Sequence, residues 1–191
     1  MNPAGGRSAR WLSIAALAVA AIALVVAWLA LTPQDSTRDD DESTSGARAF
    51  GGVEGTPAVV ERVVDGDTIV AEMDGERERV RLLNIDTPES VAEDRPIECL
   101  GPEAAEFVGD LLAPGEEVRL VFDVERRDDF GRLLAAVYTE DGENVNVEIA
   151  RAGLAEAITV GGNDRFRALV QAAMEEARDA ERGLWDPNGP C

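Results

Sequence analysis

From residue 58 onward, hydrophobic and polar positions alternate in short runs separated by turn residues. "AVVERVV" (58–64) is dense in valine, "DGD" (65–67) makes a tight corner, and "TIVAEM" (68–73) resumes the apolar run. Asp74-Gly75 is a hairpin signal, so "RERVRLLNI" (77–85) reads as a third strand returning along the second. The period then changes. In "GPEAAEFVGDLLAPG" (101–115), Ala104, Phe107, Val108, Leu111 and Leu112 fall on one helical stripe, with Gly101 as cap, Pro102 in the first turn and Pro114-Gly115 as the stop. "EVRLVFDV" (117–124) and "RLLAAVY" (132–138) are two further strands, and Asp141-Gly142 turns the chain again. Asn146 is the expected cap of a short helix ending at Gly153. Asn163 or Asp164 is the expected cap of a last helix whose inner face is Phe166, Leu169, Val170, Ala173 and Ala177. Gly183 ends that helix, and Leu184-Trp185 fold back onto the core. Three strands, a helix, two strands and two helices predict an α+β domain: a five-stranded, OB-like barrel with three packed helices.

What precedes this domain has a different texture. Residues 11–31, "WLSIAALAVAAIALVVAWLAL", are 21 apolar or small residues without a charge, close to the ~20 that cross a bilayer as a helix. They exceed the roughly 7–15 apolar residues of a secretory signal, and no clean A-x-A cleavage site follows directly. The preferred reading is a transmembrane anchor; a cleaved signal that releases the domain is the other. Arg7 and Arg10 precede the segment, and Asp35 and Asp39 to Asp41 follow it. The positive-inside rule then leaves residues 1–10 in the cytoplasm and the C-terminal domain outside. Residues 32–57 are acidic, polar and rich in Gly and Ser, which predicts a flexible tether. The folded domain is expected to occupy 58–191.

Charge and missing residue types narrow the chemistry. The chain has 18 basic and 38 acidic residues, net −20, and every basic residue is arginine. Four arginines and six acids lie before residue 58, which leaves the domain 14 and 32, net −18. Such a surface repels polyanions, because phosphate binding rests on Lys and Arg displacing counterions; solubility or a salty habitat accounts for it more simply than an acidic partner. Histidine is absent altogether, which excludes Ser-His-Asp and Cys-His nucleophile systems and most zinc enzymes. No P-loop or dinucleotide-binding glycine pattern is present. Any catalysis must run on carboxylates and arginines, with or without a hard cation.

The acids cluster by topology. Asp65 and Asp67 flank Gly66 in the first corner, and Asp86 follows the third strand, whose end can lie beside that corner. Each aspartate alone is ordinary turn chemistry. Together they would repel one another unless a cation or arginines sat between them, and oxygen-only ligands point to Ca²⁺ or Mg²⁺. Pro88 biases Thr87 toward extended geometry, which can aim the Thr87 carbonyl and hang Glu89 on a short stiff segment. Arg81 sits among the apolar Val80, Leu82 and Leu83, so it needs an internal acid or an anion. Arg132 opens the fifth strand; alone it reads equally well as a surface residue.

Six stretches in order, "VVDGDTI" (63–69), "RLLNIDTPE" (81–89), "GPEAAEF" (101–107), "DDFGRLLAAVY" (128–138), "VNVEIARAGLA" (145–155) and "GLW" (183–185), resemble the staphylococcal nuclease family. The resemblance covers nearly all of residues 58–185 and implies an OB-type barrel with three helices. It further implies that Asp67, Asp86 and the Thr87 carbonyl bind Ca²⁺, that Glu89 acts as general base, and that Arg81 and Arg132 grip the scissile phosphate. The implied reaction is hydrolysis of DNA or RNA at the 5′-oxygen, leaving 3′-phosphates, by a monomeric domain. The family pattern DKYGR reads "DDFGR" here, placing Asp129 and Phe130 where a lysine and a tyrosine are usual, and "AEAITVGG" (155–162) has no aromatic where the family carries tyrosines. The chemistry is expected intact and the grip on substrate weakened. An alternative keeps the barrel as a catalytically weak or inactive nucleic-acid or protein-binding module.

Cys99 and Cys191 are the only cysteines. Outside the cell an even pair suggests a disulfide, which would tie the loop before the first helix to the C-terminus; two free thiols is the other reading.

Overall fold

The computed structural model describes residues 50–90 and 96–191. The expected membrane segment 11–31 and the expected tether up to residue 49 lie outside the described residues. Among the described residues no helix is long and apolar enough to cross a membrane.

Three antiparallel strands open the fold, β1 (Thr56–Asp65), β2 (Thr68–Met73) and β3 (Glu76–Leu82). Asp74 and Gly75, both at positive φ, form the two-residue turn between β2 and β3. A two-residue strand, β4 (Ile85–Asp86), leads into the loop before helix α1 (Gly101–Leu111). Strands β5 (Glu117–Arg127) and β6 (Leu133–Tyr138) follow, then α2 (Val145–Arg151), β7 (Glu156–Ala157), α3 (Arg167–Asp179) and a 3-10 turn at Gly183–Trp185. The strands close into a barrel in the order β1-β2-β3-β6-β5. Closure comes from the antiparallel pairing of β1 with β5 and the parallel pairing of β3 with β6, Val80 opposite Leu133 and Arg81 opposite Leu134.

The interior is aliphatic. Val60, Ile69, Val80, Leu82, Leu120, Leu133 and Val137 fill the barrel, and Ala104 and Val108 of α1, Ile149 of α2 and Val170 and Ala173 of α3 extend the same core. Burying each large side chain contributes about 1.5–3 kcal/mol relative to leaving it in water. Inside this apolar mass, Asn146 bonds across strands: its Oδ1 accepts from the Val137 amide at 3.0 Å and its Nδ2 donates to the Leu83 carbonyl at 2.8 Å.

Six expectations need correction. Leu169 does not face inward from the last helix but is 57% exposed, and α1 is capped by Leu100, with Gly101 already its first residue. The third strand does not run unbroken to Ile85. It stops at Leu82, Asn84 takes the left-handed conformation (φ 63°), and Ile85–Asp86 pairs with Glu156–Ala157 as a separate small sheet. The cap of α2 is Asn144, whose side chain accepts from Val147, because Asn146 is spent in the core. Asn163 does not cap the last helix; it exchanges hydrogen bonds with the Glu125 main chain at 2.8 and 3.0 Å, and α3 starts later, after Phe166, without a side-chain cap. The described folded part also begins inside the expected tether: Phe50 is 2% exposed, with the Arg119 guanidinium 4.2 Å from its ring centroid.

Candidate active site

The corner between β1 and β2 and the end of β3 lie side by side. Thr68 pairs with Arg81, and the Leu82 amide donates to the Asp67 carbonyl at 2.8 Å. That register sends the Arg81 side chain toward the Asp67 carboxylate. Gly66 allows the corner to press against the segment after β4, since a Cβ built there would lie 2.7 Å from both Thr87 Oγ1 and Ala104 Cβ. We expect Gly66→Ala to cost about 1–3 kcal/mol by overpacking, read as a lowered thermal midpoint, with the strain falling on Thr87 and the first turns of α1.

One polar pocket of about 130 Å³ is lined by Asp65, Asp67, Arg81, Asp86, Thr87, Pro88, Glu89 and Arg132. Every residue singled out above for metal, base or phosphate chemistry therefore borders the same space. Arg81 is buried, and its fork spans two carboxylates: Nη1 lies 2.7 Å from Asp67 Oδ2 and Nη2 lies 3.1 Å from Asp86 Oδ1. Asp67 also accepts from the Thr68 hydroxyl at 2.9 Å and from the Thr87 amide at 3.4 Å. Asp86 is exposed, so the arginine joins a buried acid to a solvent-facing one.

Burial dominates the electrostatics. It pushes the Asp67 carboxyl up from 3.8 to about 6; Arg81 pulls the other way, and the neighbouring Asp65 pushes up again. Four carboxylates and two guanidinium groups border the pocket, so carboxylates exceed cations by two. Burial raises Asp128 as well, but there the hydrogen bonds from the Arg132 side chain and main chain and from the Phe130 amide outweigh it, and the carboxyl sits below its ordinary range. Arg132 is held by this acid: its Nε donates to Asp128 Oδ2 at 2.7 Å and its amide to Oδ1 at 2.8 Å. Binding through Nε rather than the terminal amines orients the fork while leaving its outer edge directed elsewhere. Arg127 braces the same turn, bonding the Gly131 carbonyl at 2.7 Å and both carboxylate oxygens of Glu78 at 3.0 and 2.6 Å.

Among the described residues no group of three or more His, Cys, Asp or Glu side chains forms a metal cluster. What is present suits a hard dication held by few protein ligands: two carboxylates already converging on one cationic group, Thr87 on the wall of the same pocket, and an excess of two negative charges.

Sequence reasoning missed Arg79. It is exposed on β3 and, with Arg132 and the 85% exposed Phe130, lines a second hollow of about 290 Å³ beside the first. Its signal was available: arginines at 77, 79 and 81 alternate along one strand, so 79 and 81 share a face if no bulge intervenes. Cys99 and Cys191 are joined by a disulfide, with S–S 2.10 Å and Cα–Cα 5.7 Å.

Comparison with known proteins adds to this geometry. Residues 79–187 match the family model described as "Staphylococcal nuclease homologue". The chain is 41% identical over 134 residues to a thermonuclease of Staphylococcus intermedius, covering 70% of this chain and 79% of that one. It is 34% identical over 124 residues to the thermonuclease of Staphylococcus hyicus, covering 65% and 72% respectively. It is also 32% identical over 141 residues to the endonuclease YhcR of Bacillus subtilis strain 168, a match spanning 69% of this chain but 12% of YhcR.

Proposed function

Since the chain belongs to the staphylococcal nuclease family and is a nuclease, we propose that it is a Ca²⁺-dependent endonuclease acting on DNA or RNA outside the cytoplasm and leaving 3′-phosphates. The observation that carries this reading is the single pocket bordered by Asp67, Asp86, Thr87, Glu89, Arg81 and Arg132.

Asp67 and Asp86, with the Thr87 carbonyl, would hold the ion. Bound there, Ca²⁺ supplies Lewis-acid polarisation of a phosphoryl oxygen and a charge opposite the incoming phosphate. The protein's own groups do the rest. The Arg81 and Arg132 forks match the oxygens of a phosphodiester and favour the charge that accumulates on them as the fifth bond to phosphorus forms. Asp128 keeps the Arg132 fork in register through Nε. A Glu89 carboxylate oxygen takes the proton of the attacking water while the water oxygen bonds phosphorus and the P–O5′ bond breaks, its electron pair leaving on O5′, which takes a proton from solvent to become the 5′-hydroxyl. General-base assistance of this kind contributes about 10²–10⁴-fold. The acidic domain works against substrate capture, so activity on long polyanions should rise when moderate salt screens the surface charge.

The test incubates the full chain with single-stranded DNA, with Ca²⁺ or excess chelator, at two salt concentrations, and maps product ends. Cleavage with Ca²⁺ that stops with chelator and yields 3′-phosphates supports the reading. A folded chain that cuts nothing under any of these conditions would favour a non-catalytic binding barrel. For location, we propose that residues 11–31 anchor the chain and that the nuclease domain faces outward, on the charge asymmetry around that segment. Protease added to intact cells would remove an outward-facing domain and spare an inward-facing one.

A further inference from the structure

We propose that the Cys99–Cys191 disulfide, acting through Glu98, positions Glu89, so that the oxidised chain is the fully active one; this rests on the reading of Glu89 as the base. The Glu89 main chain is clamped from both sides by one residue. Its amide donates to Glu98 Oε2 at 3.0 Å, and its carbonyl accepts from the Glu98 amide at 2.9 Å. Beneath the clamp, Gly101 packs so closely that a Cβ there would lie 2.4 Å from the Glu89 carbonyl oxygen, and the Gly101 amide donates to the Glu98 carbonyl at 3.0 Å. Residues 98–101 are thus a template on which Glu89 rests.

The template is anchored by packing only at its C-terminal half, where Leu100 and Gly101 are buried; the half that carries Glu98 and Cys99 is not. Pro96, Ile97, Glu98 and Cys99 are all exposed, and Ile97 presents 60% of its surface to solvent. Leu100 next to them adopts a left-handed φ of 65°, a conformation that persists in a non-glycine residue only when its surroundings impose it. On one side α1 supplies that constraint, through buried Ala104 and Val108. On the other side the covalent link to Cys191 does so. The disulfide also walls a hollow of about 340 Å³ together with Asp86, Thr87, Pro88 and Glu98, so the bond lies one layer behind the pocket. Neither cysteine belongs to the aliphatic core, which reaches this segment only through Leu100 beside Cys99. Opening it is chemically simple: a dithiol reductant breaks the S–S bond to two thiols and closes to its own disulfide, two electrons and two protons passing to the protein.

The experiment uses the full chain, oxidised and after treatment with dithiothreitol, beside Cys191→Ser, Glu98→Ala and Glu98→Gln. Cleavage of single-stranded DNA with Ca²⁺ is measured well below each variant's melting temperature, and exchange of the Glu89 amide with deuterium is followed separately. Reduction and Cys191→Ser should each lower kcat roughly ten- to a hundredfold with KM within about twofold. Glu98→Ala should match them and Glu98→Gln, which keeps an acceptor for the Glu89 amide, should restore most of the rate. The Glu89 amide should exchange faster once the bond is open. Unchanged kcat in Cys191→Ser, a loss that falls on KM, or Glu98→Gln as impaired as Glu98→Ala would overturn the proposal. So would equal Glu89 protection in both redox states, a result independent of whether the chain cleaves nucleic acid at all.

Discussion

Arg132→Ala is expected to lower kcat by about 10³-fold or more while leaving the barrel folded. Arg132 sits at the start of β6, half-buried, held by Asp128 and not by the core. Its removal therefore subtracts a charged hydrogen-bond donor from the pocket without opening a cavity among the aliphatic side chains. The cost to folding should stay near 1 kcal/mol, the value of an exposed or partly exposed ion pair. Arg132→Lys separates charge from shape: lysine keeps the positive charge but loses the fork, so most of the rate loss should remain. Single-turnover kinetics with saturating DNA, beside a melting curve, check both. A variant that cleaves at wild-type rate would remove Arg132 from the chemistry.

Asp67→Asn should abolish cleavage and at the same time stabilise the metal-free fold above neutral pH. Asp67 is buried, and its carboxyl is raised from 3.8 to about 6 chiefly by desolvation. A carboxyl with a raised folded-state pKa binds its proton more tightly in the native than in the unfolded chain. The penalty for ionising it is absent below about 3.8, grows as pH rises, and is complete above about 6. Asparagine, always neutral, escapes that penalty, which amounts to about 1–3 kcal/mol. Denaturant melts of the metal-free proteins should show the variant more stable at pH 8 and the difference vanishing toward pH 3.5. The Arg81 partnership opposes this trend, and a destabilised Asp67→Asn at pH 8 would mean that the pair outweighs burial. Added Ca²⁺ should raise the stability of the parent and not of the variant, because only binding to the native state shifts the equilibrium.

The site places stability and function at odds in one residue. Burial disfavours the charge on Asp67, while the strand register that buries it also aims Arg81 at it; on the proposed reading a bound dication would remove the same penalty. Natural domains tolerate such local penalties where the rest of the core is well packed.

Local rules read much of this fold from sequence. The Asp74-Gly75 turn, the alternation in the strands and Pro102 at the start of α1 are short-range signals, and each has its structural counterpart. The errors share a cause. Asn146 and Asn163 both look like helix caps because capping is local, yet their partners lie at Leu83 and Glu125, 63 and 38 residues away. The two-residue pairing of Ile85–Asp86 with Glu156–Ala157 has no periodicity to detect. Phe50, a lone aromatic in an acidic stretch, reads as tether because the Arg119 that stacks on it is far away in sequence. The resemblance named the candidate site's residues one by one, and the fold brings those residues to the border of one pocket. Glu98 and Arg79 have no such local signature, since what sets them apart is only which residues the fold brings beside them.

The central claim, that one pocket takes both a dication and a phosphate, is tested most directly by a crystal structure of the chain with Ca²⁺ and a nucleoside bisphosphate. The account predicts an ion about 2.3–2.6 Å from oxygens of Asp67 and Asp86, with a phosphate between the Arg81 and Arg132 forks. An ion bound elsewhere, or a phosphate held by neither arginine, would contradict it.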